Sequence, residues 1–384
     1  MTARILFHVQ HLLGSGHLRR AAAISAALAR DGFDVVLVSG GPPIPNIDCG
    51  GARLVQLPPM RAKDETFRTL IDAEGRPIDD AWRAARCEAL LSWLADTQPD
   101  VVITELFPLG RRMLAFELIP LIAAARRQRP QPLILSSVRD VLAQKSDERK
   151  LYEMVERVRA WYDHVLVHGD PGFLPLARSF PEDRIADRVV YTGYVTNGTS
   201  PEPPPGHGEG EVVVSVGGGA VGAPLLRAAL AARLRSTEGS RVWRLLVGPN
   251  LPAAIRMELA AAASAGCIVE PARADFPSLL ARCHVAVAQA GYNTVMDILK
   301  VRARAVLVPF AGGQETEQTV RAAALAERGW AEVVTESTLT PASLAAAIDR
   351  AAMMKRPEPG LRCDGAGETA RLIRSWLAAR GIGS

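Results

Sequence analysis

Paired cysteines, long apolar runs and dense basic tracts are all missing from this sequence, and each absence excludes a class of protein. The five cysteines (Cys49, Cys87, Cys267, Cys283 and Cys363) lie far apart and form no CxxC or other metal-ligand spacing. Reduced thiols are the simple reading. No apolar run reaches the roughly 18 residues needed to cross a bilayer. The stretch Ile5–Val9 is too short for a signal-peptide core, and His8, Gln10 and His11 interrupt it, so a cytoplasmic protein is expected. Aromatics make up 5% and the formal charge is only +4, with no basic tract interleaved with aromatics, so no nucleic-acid partner is expected. No Asp-x-Asp element is present to hold a divalent ion on a diphosphate, and no Gly-Lys-Ser/Thr to complete a Walker loop.

What is present is an alternation of strand-like and helix-like segments over 384 residues, 48% of them apolar, enough to fill two cores. In the first half, strands are expected at Arg4–Val9, Phe33–Ser39, Leu54–Leu57, Val101–Thr104, Leu133–Ser137, His164–His168 and Val189–Thr192. Helices are expected at His17–Arg30, Asp80–Asp96, Arg111–Arg127 and Glu148–Trp161. Residues 197–210 are too rich in proline and glycine for a core element and read as a linker. The alternation then restarts, with strands at Glu211–Val216, Val242–Val247, Cys267–Val269, Val285–Ala288 and Ala305–Val308. This gives an α/β chain of two Rossmann-like domains, 1–196 and 211–365. A helix is expected in 366–384, and by analogy of fold it packs back on the first.

In open parallel sheets, ligands bind beyond the carboxyl ends of the strands, and that rule selects residues. After the first strand comes Gln10-His-Leu-Leu-Gly-Ser-Gly-His17, where Gly14 and Gly16 permit a close backbone approach. His17 opens a helix whose free amides suit an anion, although a histidine there can also be an ordinary cap. Other strand ends carry Glu105, Arg139 with Asp140, and His168 with Asp170: acid–base or acceptor-binding groups, or turn and salt-bridge residues. In the second half, Val212–Val216 runs into Gly217-Gly-Gly-Ala-Val-Gly222, a glycine-rich turn able to cradle phosphate.

The segment Gly291-Tyr-Asn-Thr-Val-Met-Asp297, followed by Glu317-Gln318, resembles the nucleotide-sugar motif of the GT-B glycosyltransferases, Gly-(aromatic)-Asn-Ser/Thr-(x2)-Glu closed by an acidic-Gln pair. Together with the two glycine turns the likeness spans nearly the whole chain, and it is strongest to the MurG-like branch, which transfers N-acetylglucosamine from its UDP donor to a lipid-linked acceptor. The resemblance implies two Rossmann-like domains facing each other across a cleft, the acceptor on the first and the donor on the second. It places Gly218 and Gly219 by the donor diphosphate, with Gly291, Asn293 and Thr294 lining the same pocket. Asp297 stands for the usual Glu on the ribose hydroxyls and is one methylene shorter. Glu317 and Gln318 would meet sugar hydroxyls, and the segment Glu270-Pro-Ala-Arg273, after the third strand of this half, would supply backbone contacts to the base, at Ala272 and Arg273 among them. Gln289 stands where plant-type relatives carry His.

The activity so implied is inverting transfer from a UDP-sugar co-substrate, with no metal or other cofactor. His17 or Glu105 would act as base, and the acceptor is an unidentified glycan, lipid-linked or small molecule. A nucleotide-sugar hydrolase with His17 activating water shares the same motifs. A sugar-nucleotide epimerase and a catalytically silent sugar-nucleotide binder are further alternatives. The apolar stretch Leu106–Ile122 with its flanking arginines raises contact with a membrane surface, against the plainer reading of a core helix.

Overall fold

A computed structural model describes the chain apart from residues 1, 46, 65–68, 144–146, 197–200, 218–220, 313–315, 359 and 383–384. Contacts divide it into two compact units, Met1–Thr196 with Leu361–Ser384, and Asn197–Gly360.

The first unit runs β1 (Arg4–Val9), α1 (Gly16–Arg30), β2 (Asp34–Ser39), β3 (Arg53–Gln56), β4 (Arg61–Ala62), β5 (Leu70–Ile71), α2 (Asp80–Thr97), β6 (Val101–Glu105), α3 (Ala115–Arg127), β7 (Leu133–Arg139), α4 (Glu148–Trp161), β8 (His164–His168) and β9 (Val189–Tyr191). Seven strands form a parallel sheet in the order β3-β2-β1-β6-β7-β8-β9, and β4 and β5 pair separately and antiparallel. The central strands are buried along almost their whole length, because helices cover both faces of a parallel sheet. Chain order reverses between β1 and β6, the point where such sheets open a crevice.

The second unit runs β10 (Val212–Ser215), α5 (Ala223–Arg233), β11 (Trp243–Val247), α6 (Ala253–Ala261), β12 (Cys267–Pro271), α7 (Phe276–Arg282), β13 (Val285–Ala288), α8 (Tyr292–Lys300), β14 (Ala305–Leu307), α9 (Glu317–Glu327), β15 (Glu332–Val333) and α10 (Pro341–Met353). Its parallel sheet has the order β12-β11-β10-β13-β14-β15, with the reversal between β10 and β13. Residues 201–210 are held against this unit: the Gly210 amide donates to the Arg282 carbonyl at 3.2 Å. Gly208, at positive φ, sits where a Cβ would press on the Leu279 backbone. The last helix, α11 (Gly365–Ala379), lies on the first unit. Its Ala370, Ile373 and Leu377 join the core built around β1 and α1, and Trp376 stacks on His164 with ring centroids 4.0 Å apart.

Local chemistry sets the helix ends. The Asp79 side chain accepts from the Trp82 amide at the start of α2, and Thr340 and Ser343 form a reciprocal capping box on α10 with Pro341 at its first turn. The helix expected from Arg111 starts later, because Arg111 is left-handed at φ 53 and a short 3-10 turn over Arg112–Leu114 precedes α3. Leu118, Leu121 and Ile122 of α3 are buried in the core, which takes up the apolar side of the stretch considered above for a membrane surface.

A fully buried ion pair ties the sheet to its helices. Arg86 of α2 grips Glu117 of α3 through two hydrogen bonds of 2.6 and 3.1 Å. It also donates to Gln10 Oε1 at 2.7 Å and to the Gly40 carbonyl at 2.9 Å, the residues just beyond β1 and β2. Burial by itself would raise the Glu117 carboxyl, but the Arg86 charge and a contact with His8 overcome it and hold it at about 2. Removing one partner strands the other charge in the interior. Arg86→Ala and Glu117→Ala are each expected to lose about 3–5 kcal/mol in urea unfolding, and Arg86→Met/Glu117→Leu to recover most of it. Single variants losing under about 1 kcal/mol, the range of exposed pairs, would remove the pair from the account of stability.

Candidate active site

The turn after β1 leads into α1, and β6 ends beside it, so the switch point of the first sheet brings His17 and Glu105 together across 88 positions. His17 Nδ1 lies 2.8 Å from Glu105 Oε1. A carboxylate only accepts, so Nδ1 carries the proton and Nε2 the lone pair. Glu105 is almost wholly buried and engaged on both oxygens: Arg20 also donates to Oε1, and the Ser137 hydroxyl donates to Oε2 at 2.8 Å. Ser137 in turn lies 2.9 Å from His168 Nε2, and His168 Nδ1 lies 2.8 Å from the Thr192 hydroxyl. With the Ser137 hydroxyl donating to Glu105, Ser137 accepts from His168 Nε2–H and His168 Nδ1 accepts from the Thr192 hydroxyl.

This arrangement separates roles that the sequence left equivalent. Glu105 is enclosed and orients His17; it does not present an oxygen to a ligand. His168 is fully buried and supports Glu105 through Ser137, rather than meeting an acceptor directly. Burial, with a further push from Arg20 against the pull of Glu105, holds it neutral, at about 3. Asp140 is also fully buried, and its Oδ1 accepts the Val141 amide at 2.9 Å. Arg139 is half-buried and donates through Nη2 to His17 Nε2. Burial first, then the charges of Arg139, Arg111, Arg20 and His11, hold His17 well below the usual imidazole range. Gly16 is the first residue of α1, and Gly14 is exposed, with no protein atom within 4 Å of where a Cβ would stand.

The second switch point gathers the residues of the nucleotide-sugar motif. Gly217 follows β10 at φ 64, and Gly222 must be glycine because a Cβ would collide with Val216. Gly218 and Gly219 lie outside the described residues. After β13 come Gln289, Ala290 and Gly291, the last capping α8 in an extended conformation with open space where a Cβ would be. Gln289, Asn293 and Thr294 are half-buried at the head of this helix, and Asp297 is 6% exposed one turn on. The Asp297 carboxyl has no hydrogen-bond partner among the described residues, and burial, only partly opposed by Lys300, pushes it up to about 7. Such a group invites a ligand that donates to it.

Around this helix head the sequence reading missed Arg321. It is fully buried in α9, donates to the Ala290 carbonyl at 2.9 Å and lies over the Tyr292 ring at 5.7 Å, so it fixes the turn that presents Gly291. Gln318 accepts the Phe310 amide at 3.1 Å, which leaves its NH2 group to donate elsewhere, and Glu317 is half-buried at the start of α9. Beyond β12, the Ala272 amide is taken by the Val247 carbonyl at 2.9 Å. Arg273 grips Asp275 and reaches Glu270, which Arg244 also holds. The Ala272 amide and the Arg273 side chain are thus engaged within the unit. Among the described residues, no three His, Cys, Asp or Glu side chains are placed to hold a metal ion. Among them, too, no helix is long and apolar enough to cross a membrane.

Residues 213–363 match the glycosyltransferase family 28 C-terminal domain. Two UDP-N-acetylglucosamine–N-acetylmuramyl-(pentapeptide) pyrophosphoryl-undecaprenol N-acetylglucosamine transferases are similar in sequence. That of Rhizobium johnstonii (strain DSM 114642 / LMG 32736 / 3841) is 34% identical over 134 residues, covering 35% of this chain and 33% of the relative. That of Brucella canis (strain ATCC 23365 / NCTC 10854 / RM-666) is 39% identical over 90 residues, 23% of each chain. The match thus spans a third or less of the length of these relatives. Among solved structures, CalG4, the calicheamicin glycosyltransferase, superposes with a TM-score of 0.61 at 17% identity, over 100% of this chain and 96% of that one. MurG of Acinetobacter baumannii gives 0.57 at 17% identity, over 97% and 99%. At such identities the likeness is one of fold. The second half of the chain thus matches the glycosyltransferase family 28 C-terminal domain, within a chain that has the fold of the GT-B glycosyltransferases.

Proposed function

We propose that the protein transfers a sugar from a nucleotide-diphosphate donor, held by the second unit, to a hydroxyl group deprotonated by His17 of the first. The observation that carries this reading is Asp297: a buried carboxyl with no hydrogen-bond partner among the described residues, one turn into α8 and within the stretch that matches the family 28 domain, suited to hydroxyl donors such as those of a ribose. His17 Nε2 takes the acceptor proton while the acceptor oxygen bonds to the anomeric carbon. The bond from that carbon to the diphosphate oxygen breaks, its electron pair leaving with the diphosphate. One such displacement inverts the anomeric centre. The amides at the N-terminus of α8 are suited to the negative charge of the leaving group. A uridine base, as in the names of the relatives, is the first donor to try.

The test is calorimetric titration with UDP-, dTDP- and GDP-sugars, followed by assay of nucleotide release without acceptor. Micromolar binding of one donor with negligible release is the expected result. Failure of every donor to bind would overturn the proposal. Fast release in water, abolished in His17→Ala, would replace transfer by hydrolysis.

A further inference from the structure

His17 Nε2, the nitrogen that would accept a hydroxyl proton, is occupied: Arg139 donates to it. No acceptor is deprotonated by His17 while that contact stands. Water or a neutral alcohol offers a guanidinium nothing that the imidazole does not already provide. An anion does, because a carboxylate or phosphate meets the guanidinium with a full opposite charge and can take two of its N–H groups, whereas the neutral imidazole nitrogen accepts one.

The charged surroundings lead to the same point. Glu105, the carboxylate in contact with His17, is shared with Arg20. Arg139 and Arg111 act on the ring as well, and the buried His11 lies near it. Taking a proton turns His17 into an imidazolium among these guanidinium groups, which makes it a weak base. A negative charge brought in with the acceptor would strengthen it.

We propose that the acceptor is anionic, with a carboxylate or phosphate close to its reacting hydroxyl: that group draws Arg139 off His17 Nε2, and the hydroxyl takes the vacated place. This rests on the reading of His17 as the base of a sugar transfer. Arg139 then does two things. It selects acceptors by charge, and it keeps His17 from activating water when no acceptor is bound, so the donor is not hydrolysed to no purpose.

The experiment follows the His17 imidazole by NMR in the full chain labelled with 15N-histidine, with His17→Gln to assign the signal. The pH is varied in the presence of inorganic phosphate, glycolate or ethylene glycol. In the wild type, phosphate or glycolate is expected to raise the apparent pKa of His17 by about one unit, a tenfold change in proton affinity, whereas neutral ethylene glycol leaves it unchanged. A response to phosphate alone marks a phosphorylated acceptor, and a response to glycolate alone a carboxylate. Arg139→Met is expected to start from a higher His17 pKa, to show no anion response, and to release nucleotide from bound donor without acceptor about tenfold faster than the wild type. Arg139→Gln, closer in polarity, serves if the methionine variant does not fold. An unchanged His17 at saturating phosphate and glycolate overturns the proposal, as does an equal response in wild type and Arg139 variants. If donors fail to bind while the anion response is present, the transfer reading falls and the Arg139 latch stands. If donors bind and no anion moves His17, the latch alone falls.

Discussion

His17→Ala is expected to lower turnover about 10²- to 10⁴-fold, the range for loss of a general base. The donor Kd should change little, because the residues assigned to the donor belong to the second unit. The imidazole is prepared for this task by its surroundings. Glu105 fixes the tautomer with the proton on Nδ1, and burial with the neighbouring guanidinium charges keeps the ring neutral well below pH 6.5. The acid limb of kcat/KM is therefore expected well below pH 6.5, rather than near it as for an exposed histidine. Stability carries the opposite sign. The folded-state pKa lies below the unfolded one, so folding loses free energy as pH falls below about 6.5, where the unfolded chain binds the proton more readily. Glu105→Gln tests the orienting role. A glutamine cannot accept from His17, Arg20 and Ser137 together, so the imidazole loses its fixed tautomer, and turnover should fall between the wild type and His17→Ala. An alanine variant retaining more than about a tenth of the wild-type turnover would take the base role from His17.

Much of this arrangement was legible, and the illegible part has a physical pattern. Strands such as β1, β6 and β13 are short apolar runs bounded by turns, and residues just past them were identified from the strand-end rule alone. Pairing was not legible. That His17 meets Glu105 depends on β1 and β6 being neighbours in the sheet, which follows from the reversal of strand order and not from any local pattern. Buried charges were the other omission. Arg86, Arg244 and Arg321 are residue types usually found on surfaces, yet each is sealed in the interior with carboxylate or carbonyl partners. One signal was available: Arg86 stands at i, i+4 and i+8 with Leu90 and Leu94 on the buried face of α2. An arginine in an apolar stripe at helical spacing marks a buried pair whose partner must be sought elsewhere in the chain. Arg321 and Leu325 repeat the pattern in α9. The late start of α3 was hidden because nothing in residues 106–114 announces the left-handed conformations of Leu106 and Arg111.

Asp297→Asn is expected to weaken donor binding about 10- to 100-fold, since hydrogen bonds to a charged acceptor contribute about 1.5–3 kcal/mol, and to stabilise the free protein at alkaline pH. Both effects come from one cause. The wild-type carboxyl lies at about 7 in the fold because burial disfavours its charge, whereas in the unfolded chain it ionises near the ordinary 3.8. The unfolded state therefore releases this proton first, so the wild type loses stability as pH rises from about 3.8 through about 7, and the loss is constant above that. At about 1.4 kcal/mol per pKa unit the ceiling is about 4 kcal/mol. The amide carries no charge and avoids this cost, so the variant should melt several degrees higher at pH 8, by less at pH 5, where the unfolded carboxyl is already ionised, and like the wild type only below about pH 3.8. Donor binding inverts the ranking. Ribose hydroxyls that donate to the carboxylate favour its charged form, so wild-type affinity should fall below pH 7 while that of the variant stays flat. Equal donor affinity in the two proteins at pH 8 would show that the hydroxyls do not meet Asp297. Asp297→Glu then asks about reach, because it keeps the charge and adds the methylene by which this chain departs from the usual motif. Tighter binding in that variant would mean the shorter side chain meets its ligand at a stretch, and weaker binding that the pocket has closed around aspartate.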